Sequence, residues 1–283
     1  MSKTVTFPQA ITLPAIGQGS WYMGEDPSLR KKEIAALQAG LECGLKLIDT
    51  AEMYADGGAE QVVGEALSGR RDSAWLVSKV YPWHAGEVDA IEACERSLSR
   101  LKTDYLDLYL LHWRGSVPLE ETIRAMETLQ QQGKIRQWGV SNFDIDDMHE
   151  LWQEAGGNAC ATNQVLYHLA SRGIEYALLP ECQQRQIPLM AYCPLAQAGR
   201  LRRDLLHNGA LNQLAQQKGI SIAQLLLAWV IRKEGVIAIP KASSVAHVQE
   251  NAAALNVSFS SEELATINQQ FPPPTGKLPL DVV

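Results

Sequence analysis

Cysteine is scarce and unpatterned in this chain: Cys43, Cys94, Cys160, Cys182 and Cys193 are scattered, odd in number and without a C-x-x-C pair. That argues against both a disulfide framework and a thiolate zinc site and fits a reducing compartment. The phosphate loops of doubly wound nucleotide binders are missing as well. No G-x-x-x-x-G-K-[ST] occurs, and GQGSWY at 17–22 lacks the third glycine of G-x-G-x-x-G. Long apolar runs are absent too. The longest, LLLAWVI at 225–231, falls far short of the roughly 20 residues a spanning helix needs, and the opening MSKTVTFPQA has no apolar core of an export signal. Positive charge is in deficit, with 25 Lys+Arg against 32 Asp+Glu and a net charge of −7. This sets aside broad attraction to nucleic acid or to an anionic membrane surface. We expect a cytoplasmic protein that holds any phosphate-bearing ligand by a few local cations.

What is present is a recurring unit. At 283 residues, 46% hydrophobic and 20% charged, the chain can bury a large core without cross-links. AIGQGSW (15–21), KLIDT (46–50), AWLVSKV (74–80), YLDLYLLHW (105–113), IRQWGVSN (135–142), ATNQVLYH (161–168), LMAYCPL (189–195) and VIAIPKA (236–242) read as strands. From the second to the seventh, their starts lie roughly 26–31 residues apart, the length of one strand-plus-helix unit. The intervening segments carry helical periodicity and punctuation. Ile34, Leu37 and Leu41 share a face ahead of Gly44, Ile91, Cys94 and Leu98 repeat it, Ser221 stands as an N-cap, and Ser260 with Glu263 has capping-box spacing.

Near-continuous apolar strands alternating with helices imply a parallel sheet, covered on both faces or closed on itself. Periodicity alone leaves both open; eight units without a dinucleotide fingerprint favour an α/β fold of the (β/α)₈ TIM-barrel type. No linker divides the chain, so residues 1–283 are expected to form a single barrel domain. TVTFPQAITLPAIG reads as an N-terminal β-hairpin, the wide gap between 195 and 236 as a loop with extra helix near the C-terminus, and FPPPTGKLPLDVV as an irregular tail.

In such a barrel the chemistry gathers at the C-terminal ends of the strands. The residues there are Asp49 with Tyr54 close behind, Lys79, His112, Ser141 with Asn142, Asn163 with Gln164, Tyr192 and Lys241. Singly, each has a plain structural reading: His112 as a satisfied core imidazole, Lys79 as a rim charge, Asp49 as a cap for the next turn, Tyr192 as a buried aromatic. Four ionisable residue types at equivalent strand ends are harder to assign to packing.

The segments LPAIGQGSW, LIDTAEMY, VSKV, DLYLLHW, WGVSN, NQVLY, MAYCPL and AIPKAS, in this order and spacing, resemble the aldo-keto reductases from about residue 5 to 270. Each motif is short, but the ordered set is specific. Within the family the chain is similar to prokaryotic members that reduce methylglyoxal and other small aldehydes in enterobacteria. The resemblance implies reduction of aldehydes to alcohols with NADPH, NADH being possible but weaker.

Such a reaction needs a hydride at carbon and a proton at oxygen, from an acid whose pKa lies near the working pH. A free tyrosine titrates near 10, and a neighbouring ammonium lowers that. On this reading Tyr54 is the general acid and Lys79 the ammonium that makes it acidic. Asp49 keeps Lys79 charged and aimed in an apolar mouth. His112 orients the substrate carbonyl, its protonation state left open.

By the same resemblance, Ser141, Asn142 and Gln164 would hydrogen-bond the nicotinamide carboxamide and Tyr192 would stack on its ring. Asp49, Gly19, Ser20 and Trp21 would line the near side. The loop through Pro194, Leu195, Gln197, Gly199 and Arg200 would close over the pyrophosphate. Lys241 would meet the adenosine 2′-phosphate with Ser243 and His247 beside it, and Glu250 and Asn251 would contact the adenine. Ala242 follows the lysine directly, and His247 stands where many NADPH-preferring members carry arginine. An imidazole, mostly neutral at pH 7, lacks the guanidinium fork, so selectivity over NADH is expected to be modest.

Trp21, Tyr22, Tyr81, Trp83, His112 and Trp113 are expected to wall the substrate pocket, with aromatic faces suited to flat or apolar carbonyl compounds. Small neutral aldehydes such as methylglyoxal fit this set better than sugar phosphates. We expect a monomer that engages small molecules, with no metal, nucleic acid or membrane partner. Two other readings remain in view. One is a non-catalytic nicotinamide-binding sensor or regulatory subunit of the same fold, against which stand all four candidate catalytic residues. The other is a metal-dependent barrel isomerase or lyase, disfavoured by the scarcity of clustered His and carboxylate ligands.

Overall fold

A computed structural model describes residues 3–283. The chain begins with an antiparallel hairpin, β1 (Thr4–Phe7) against β2 (Ile11–Pro14), in the register Thr4↔Pro14 to Phe7↔Ile11. Eight further strands follow, each paired in parallel with the next: β3 (Gln18–Gly19), β4 (Leu47–Asp49), β5 (Trp75–Val80), β6 (Leu106–Leu111), β7 (Ile135–Ser141), β8 (Asn163–Leu166), β9 (Leu189–Tyr192) and β10 (Val236–Ala238).

The outer two of these strands meet. Gly17 N–H donates to Ala238 O at 2.8 Å, Ala238 N–H to Ala15 O at 2.9 Å, and Gly19 N–H to Pro240 O at 3.0 Å. These bonds close the sheet into a barrel and remove both of its edges, which decides against the open doubly wound alternative. The seam is tight at Gly19. A Cβ there would lie 2.7 Å from the Ile239 carbonyl oxygen, so only glycine lets the first and last strands approach this closely.

Helices α1 (Arg30–Glu42), α2 (Gly58–Ala66), α3 (Glu87–Leu101), α4 (Leu119–Gln131), α5 (Ile145–Gln153) and α6 (Leu178–Gln184) connect successive strands. The wide gap holds α7 (Arg200–Leu206), α8 (Gly209–Lys218) and α9 (Ile222–Val230); α10 (Val245–Ala253) and α11 (Ser261–Gln270) follow β10. Local chemistry sets their ends. Gly44, just past α1, takes the left-handed φ of +85° that stops a helix. Capping boxes start α5 at Asp144, α9 at Ser221 and α11 at Ser260, a device worth on the order of 1 kcal/mol per helix.

On α1 the buried face differs from the expected one. Leu37 is buried, but Ile34 and Leu41 are only partly so, and Ala36 and Gly40 carry the closest approach. The cause is Gln18. Its amide nitrogen donates to Leu37 O and Leu45 O at 3.2 and 3.0 Å, and it fills the space where a Cβ on Gly40 would stand.

The hairpin seals the floor of the barrel. Phe7 is buried with its ring 4.6 Å from that of Trp75, and Gln137 Nε2 donates to Pro8 O at 2.8 Å. Burying a side chain such as Phe7 is worth about 1.5–3 kcal/mol. With this end plugged, the C-terminal mouth is left for chemistry. Among the described residues, no helix is long and apolar enough to cross a membrane.

Candidate active site

β4 ends in a carboxylate because its neighbour carries the matching cation. Asp49 pairs in register with Val77 of β5, so Lys79 stands two residues further on, above it. Lys79 Nζ donates to Asp49 Oδ2 at 2.8 Å, to Thr50 O at 2.8 Å and to the Tyr54 hydroxyl oxygen at 3.0 Å. An ammonium has three N–H groups, and all three are spent here. Tyr54 is brought back over the strand end by a turn in which Ala55, Asp56 and Gly57 take φ of 51°, 48° and 86°. Tyr22, Asn142, Cys193 and Ala196, in other loops of this face, also adopt left-handed backbone. Such strain persists only where surrounding structure holds it, and it gathers at functional sites.

Lys79 is completely buried, Asp49 and Tyr54 nearly so. Burial pushes the Lys79 ammonium down and the Asp49 carboxyl up, and each partner's charge restrains the other's shift. Burial, and after it the Asp49 charge, holds the Tyr54 phenol well above its ordinary value. The direction is opposite to the one expected from the Lys79 ammonium alone, burial being the larger cause. The ammonium lies 2.8 Å from its own counter-ion, Asp49. Burial first, then the Lys79 charge, hold the His112 imidazolium well below the usual range, which favours the neutral ring. Its Nδ1 has no hydrogen-bond partner, and its ring stands edge-on to Tyr54 with centroids 5.8 Å apart.

The expected carboxamide-binding residues bond to one another. Gln164 Nε2 donates to Asp49 Oδ1 at 2.8 Å, and Ser141 Oγ donates to Gln164 O at 2.8 Å. Asn142 Nδ2 donates to His112 O at 3.1 Å, while Asn142 Oδ1 accepts from the Tyr192 hydroxyl at 2.7 Å. Asn163 turns instead to the backbone of Phe143.

A cavity of about 320 Å³ opens beside these groups. Gly19, Trp21, Tyr22, Asp49, Tyr54, His112, Trp113, Ser141, Asn142, Gln164, Tyr192, Pro194, Leu195, Gln197 and Lys241 line it. Other expected residues stand off it. Ser20 is buried with its Oγ unpartnered. Arg200 is 89% exposed and faces Asp204 at 3.5 Å; Arg202, two residues along, lines the cavity in its place. Gly199 takes φ of +127° in the loop before α7, with open space around it. Ser243 and His247 flank Ser244, the N-cap of α10, and Glu250 and Asn251 lie on that helix, Asn251 buried beside Gly17 and Gly19. Tyr81 and Trp83 stack on each other outside the cavity, against Trp113. Among the described residues there is no group of three or more His, Cys, Asp or Glu placed to hold a metal ion.

Met53, Cys193, Arg202 and Val283 also line the cavity and were not anticipated. Cys193 directly follows Tyr192, and two consecutive residues on one surface break the alternation of a strand; the left-handed Cys193 backbone permits it. Val283 arrives by a tail without regular structure. Lys277 pairs with Asp146, Leu278 packs over Gly173, and Asp281 Oδ2 accepts from Ser171 Oγ at 2.5 Å. Nothing periodic in FPPPTGKLPLDVV signals that path.

Residues 15–270 match the family model described as the aldo/keto reductase family. The chain is 66% identical to methylglyoxal reductase YeaE of Escherichia coli (strain K12), over 99% of each chain. It is 33% identical to the glyoxal reductase of Bacillus subtilis (strain 168), over 95% of this chain and 92% of that one. Its fold superposes with a TM-score of 0.98, at 62% identity and full coverage of both chains, on an aldo/keto reductase from Klebsiella pneumoniae solved in complex with NADP and acetate.

Proposed function

The chain belongs to the aldo/keto reductase family, and on that premise we propose that it reduces small aldehydes, 2-oxoaldehydes such as methylglyoxal among them, to alcohols with NADPH. The observation that carries this reading is the buried contact between Lys79 and the Tyr54 hydroxyl, 3.0 Å long, at the rim of a cavity that also presents His112.

The cofactor suits the donor set. One cavity joins side-chain amides at Asn142 and Gln164, the ring of Tyr192 and the cations Arg202 and Lys241, which between them match an amide, a flat ring and phosphates. NADPH, when bound, supplies the hydride. The protein's part is the proton. Because Lys79 donates to the Tyr54 oxygen, the phenol's own hydrogen is left to point elsewhere, and the substrate oxygen is the acceptor we assign to it. Tyr54 gives up that proton as charge gathers on the carbonyl oxygen. The Lys79 N–H then stabilises the phenolate that forms, while Asp49 and Thr50 O keep the ammonium aimed. Neutral His112 orients the carbonyl by hydrogen bonding.

Small neutral aldehydes fit the modest cavity and its Trp21, Tyr22 and Trp113 wall. We read the protein as one catalytic domain working as a monomer, because every site residue comes from a single closed barrel. Its five free cysteines suit the cytoplasm. The test is to follow NADPH and NADH oxidation with methylglyoxal, aromatic aldehydes, aldoses and ketosteroids. Turnover of the aldehydes with preference for NADPH is expected, and no reduction of any compound with either coenzyme withdraws the reading.

A further inference from the structure

Glu52 is a buried carboxylate that the reaction does not use. Its backbone N–H donates to Lys79 O at 3.3 Å, continuing the β4–β5 pairing beyond Asp49. Its Oε1 accepts from the Tyr81 backbone N–H at 2.8 Å and lies 3.1 Å from His84 Nδ1. One oxygen therefore holds the first and last residues of the turn Tyr81–His84. From behind, the turn is seated on buried Pro82 and Ala85, and Ala85 O accepts from Thr122 Oγ1 of α4 at 3.0 Å.

Outward, the turn carries Trp83, which is 58% exposed. Burial cannot fix an indole so open to water. It stacks on Tyr81 at 4.3 Å and meets Trp113 edge-on at 5.6 Å, and Trp113 in turn lies 5.0 Å from His112. A ladder of rings thus runs from the reacting centre to the rim. Individual ring contacts are weak, so the register of the outer rungs depends on the turn, and the turn depends on Glu52.

We infer that Glu52 and His84 form a positioning pair that sets this aromatic wall and so discriminates bulky aldehydes from three-carbon ones. The inference rests on the reductase reading above. A small 2-oxoaldehyde spans Tyr54 and His112 alone; an aryl group extends over Trp113 toward Trp83. Loosening the outer wall therefore weakens binding of the second kind of substrate and leaves the first untouched.

His84→Ala is the informative change, since this side chain is 35% exposed and its loss does not threaten the fold. KM for an aromatic aldehyde should rise about five- to tenfold. The matching kcat, the KM for methylglyoxal and the Kd for NADPH should each stay within about twofold. His84→Asn, whose amide N–H can stand in for Nδ1–H, should restore the aromatic KM. Equal shifts for both substrates, no shift for either, or failure of Asn to rescue would overturn the pair. A substrate-free readout stands beside these: acrylamide quenching of tryptophan fluorescence should increase in His84→Ala, and the increase should vanish in a Trp83→Phe background. If the unaltered enzyme reduces no aldehyde, the reductase reading falls, while the quenching result still decides whether His84 positions Trp83.

Discussion

Lys79 spends one N–H on the Tyr54 hydroxyl oxygen, 3.0 Å away, and its other two on Asp49 and the Thr50 carbonyl. The phenol is an acceptor toward the lysine, so its hydrogen is free for the cavity. The same contact makes the pair sensitive in two separable ways, chemical and structural.

Removing the hydroxyl tests the chemical one. Tyr54→Phe should lower kcat for aldehyde reduction by roughly 10²–10⁴, the range of a general acid. NADPH binding, measured by fluorescence titration, should stay within about twofold. Loss of binding alongside turnover would mean that Tyr54 shapes the cofactor site instead.

Removing the cation tests the structural one. Lys79→Met leaves Asp49 buried without its partner, a change that costs about 3–5 kcal/mol when one member of a buried pair is lost. Urea denaturation should show that loss, and the double change Asp49→Asn with Lys79→Met should recover part of it. A double variant no more stable than the single would argue that the two charges are not coupled.

Acid should weaken the fold through histidines held neutral. Burial brings His168 down to about 4 and holds His112 well below its ordinary range, whereas an unfolded histidine titrates near 6.5. Between those values the unfolded chain binds more protons than the folded one. The stability involved is therefore whole above about pH 6.5 and is lost as pH falls from there toward 4, on the order of 3 kcal/mol for His168. Urea midpoints at pH 7.5 and 4.5 should differ accordingly, and His168→Gln should reduce the difference. Identical slopes for parent and variant would contradict this account.

Two arginines compete for the role of phosphate partner, and geometry separates them. Arg202 lines the cavity while Arg200 faces solvent and Asp204. Arg202→Ala should raise the NADPH Kd about three- to tenfold, the size of one charge-assisted contact, and Arg200→Ala should leave it nearly unchanged. The reverse ranking would show that the loop before α7 rearranges on binding.

Much of the barrel was legible because strands buried on both faces leave continuous apolar runs, and their polar last residues mark one end. Asp49, Lys79, His112 and Tyr192 were visible in that way. The side chains that answer to three-dimensional neighbours were not. Gly40 is small because Gln18 fills its space from another element, and Arg202 displaces Arg200 because α7 begins at Arg200 and turns successive side chains to different sides, which reading the start of the gap after 195 as a loop does not count. Val283 reaches the cavity through contacts made by Lys277 and Asp281, polar residues whose partners lie far away in sequence. The direction of the Tyr54 shift was not legible for a related reason: residue types suggest an ammonium beside a phenol, but not how deeply that phenol is buried.

β4 and β8 stand second and sixth in the ring of eight strands, so the hydrogen bond from Gln164 to Asp49 spans the mouth like a tie-rod. A cut at the exposed Gly133 turn between α4 and β7 would give two pieces of four barrel strands each, one owning Asp49, Tyr54, Lys79 and His112, the other Asn142, Gln164 and Tyr192. Neither piece carries a complete reaction centre. Turnover from the two, expressed as separate polypeptides, would then report their reassembly, which makes the Gly133 turn a natural place to split the enzyme into a complementation pair.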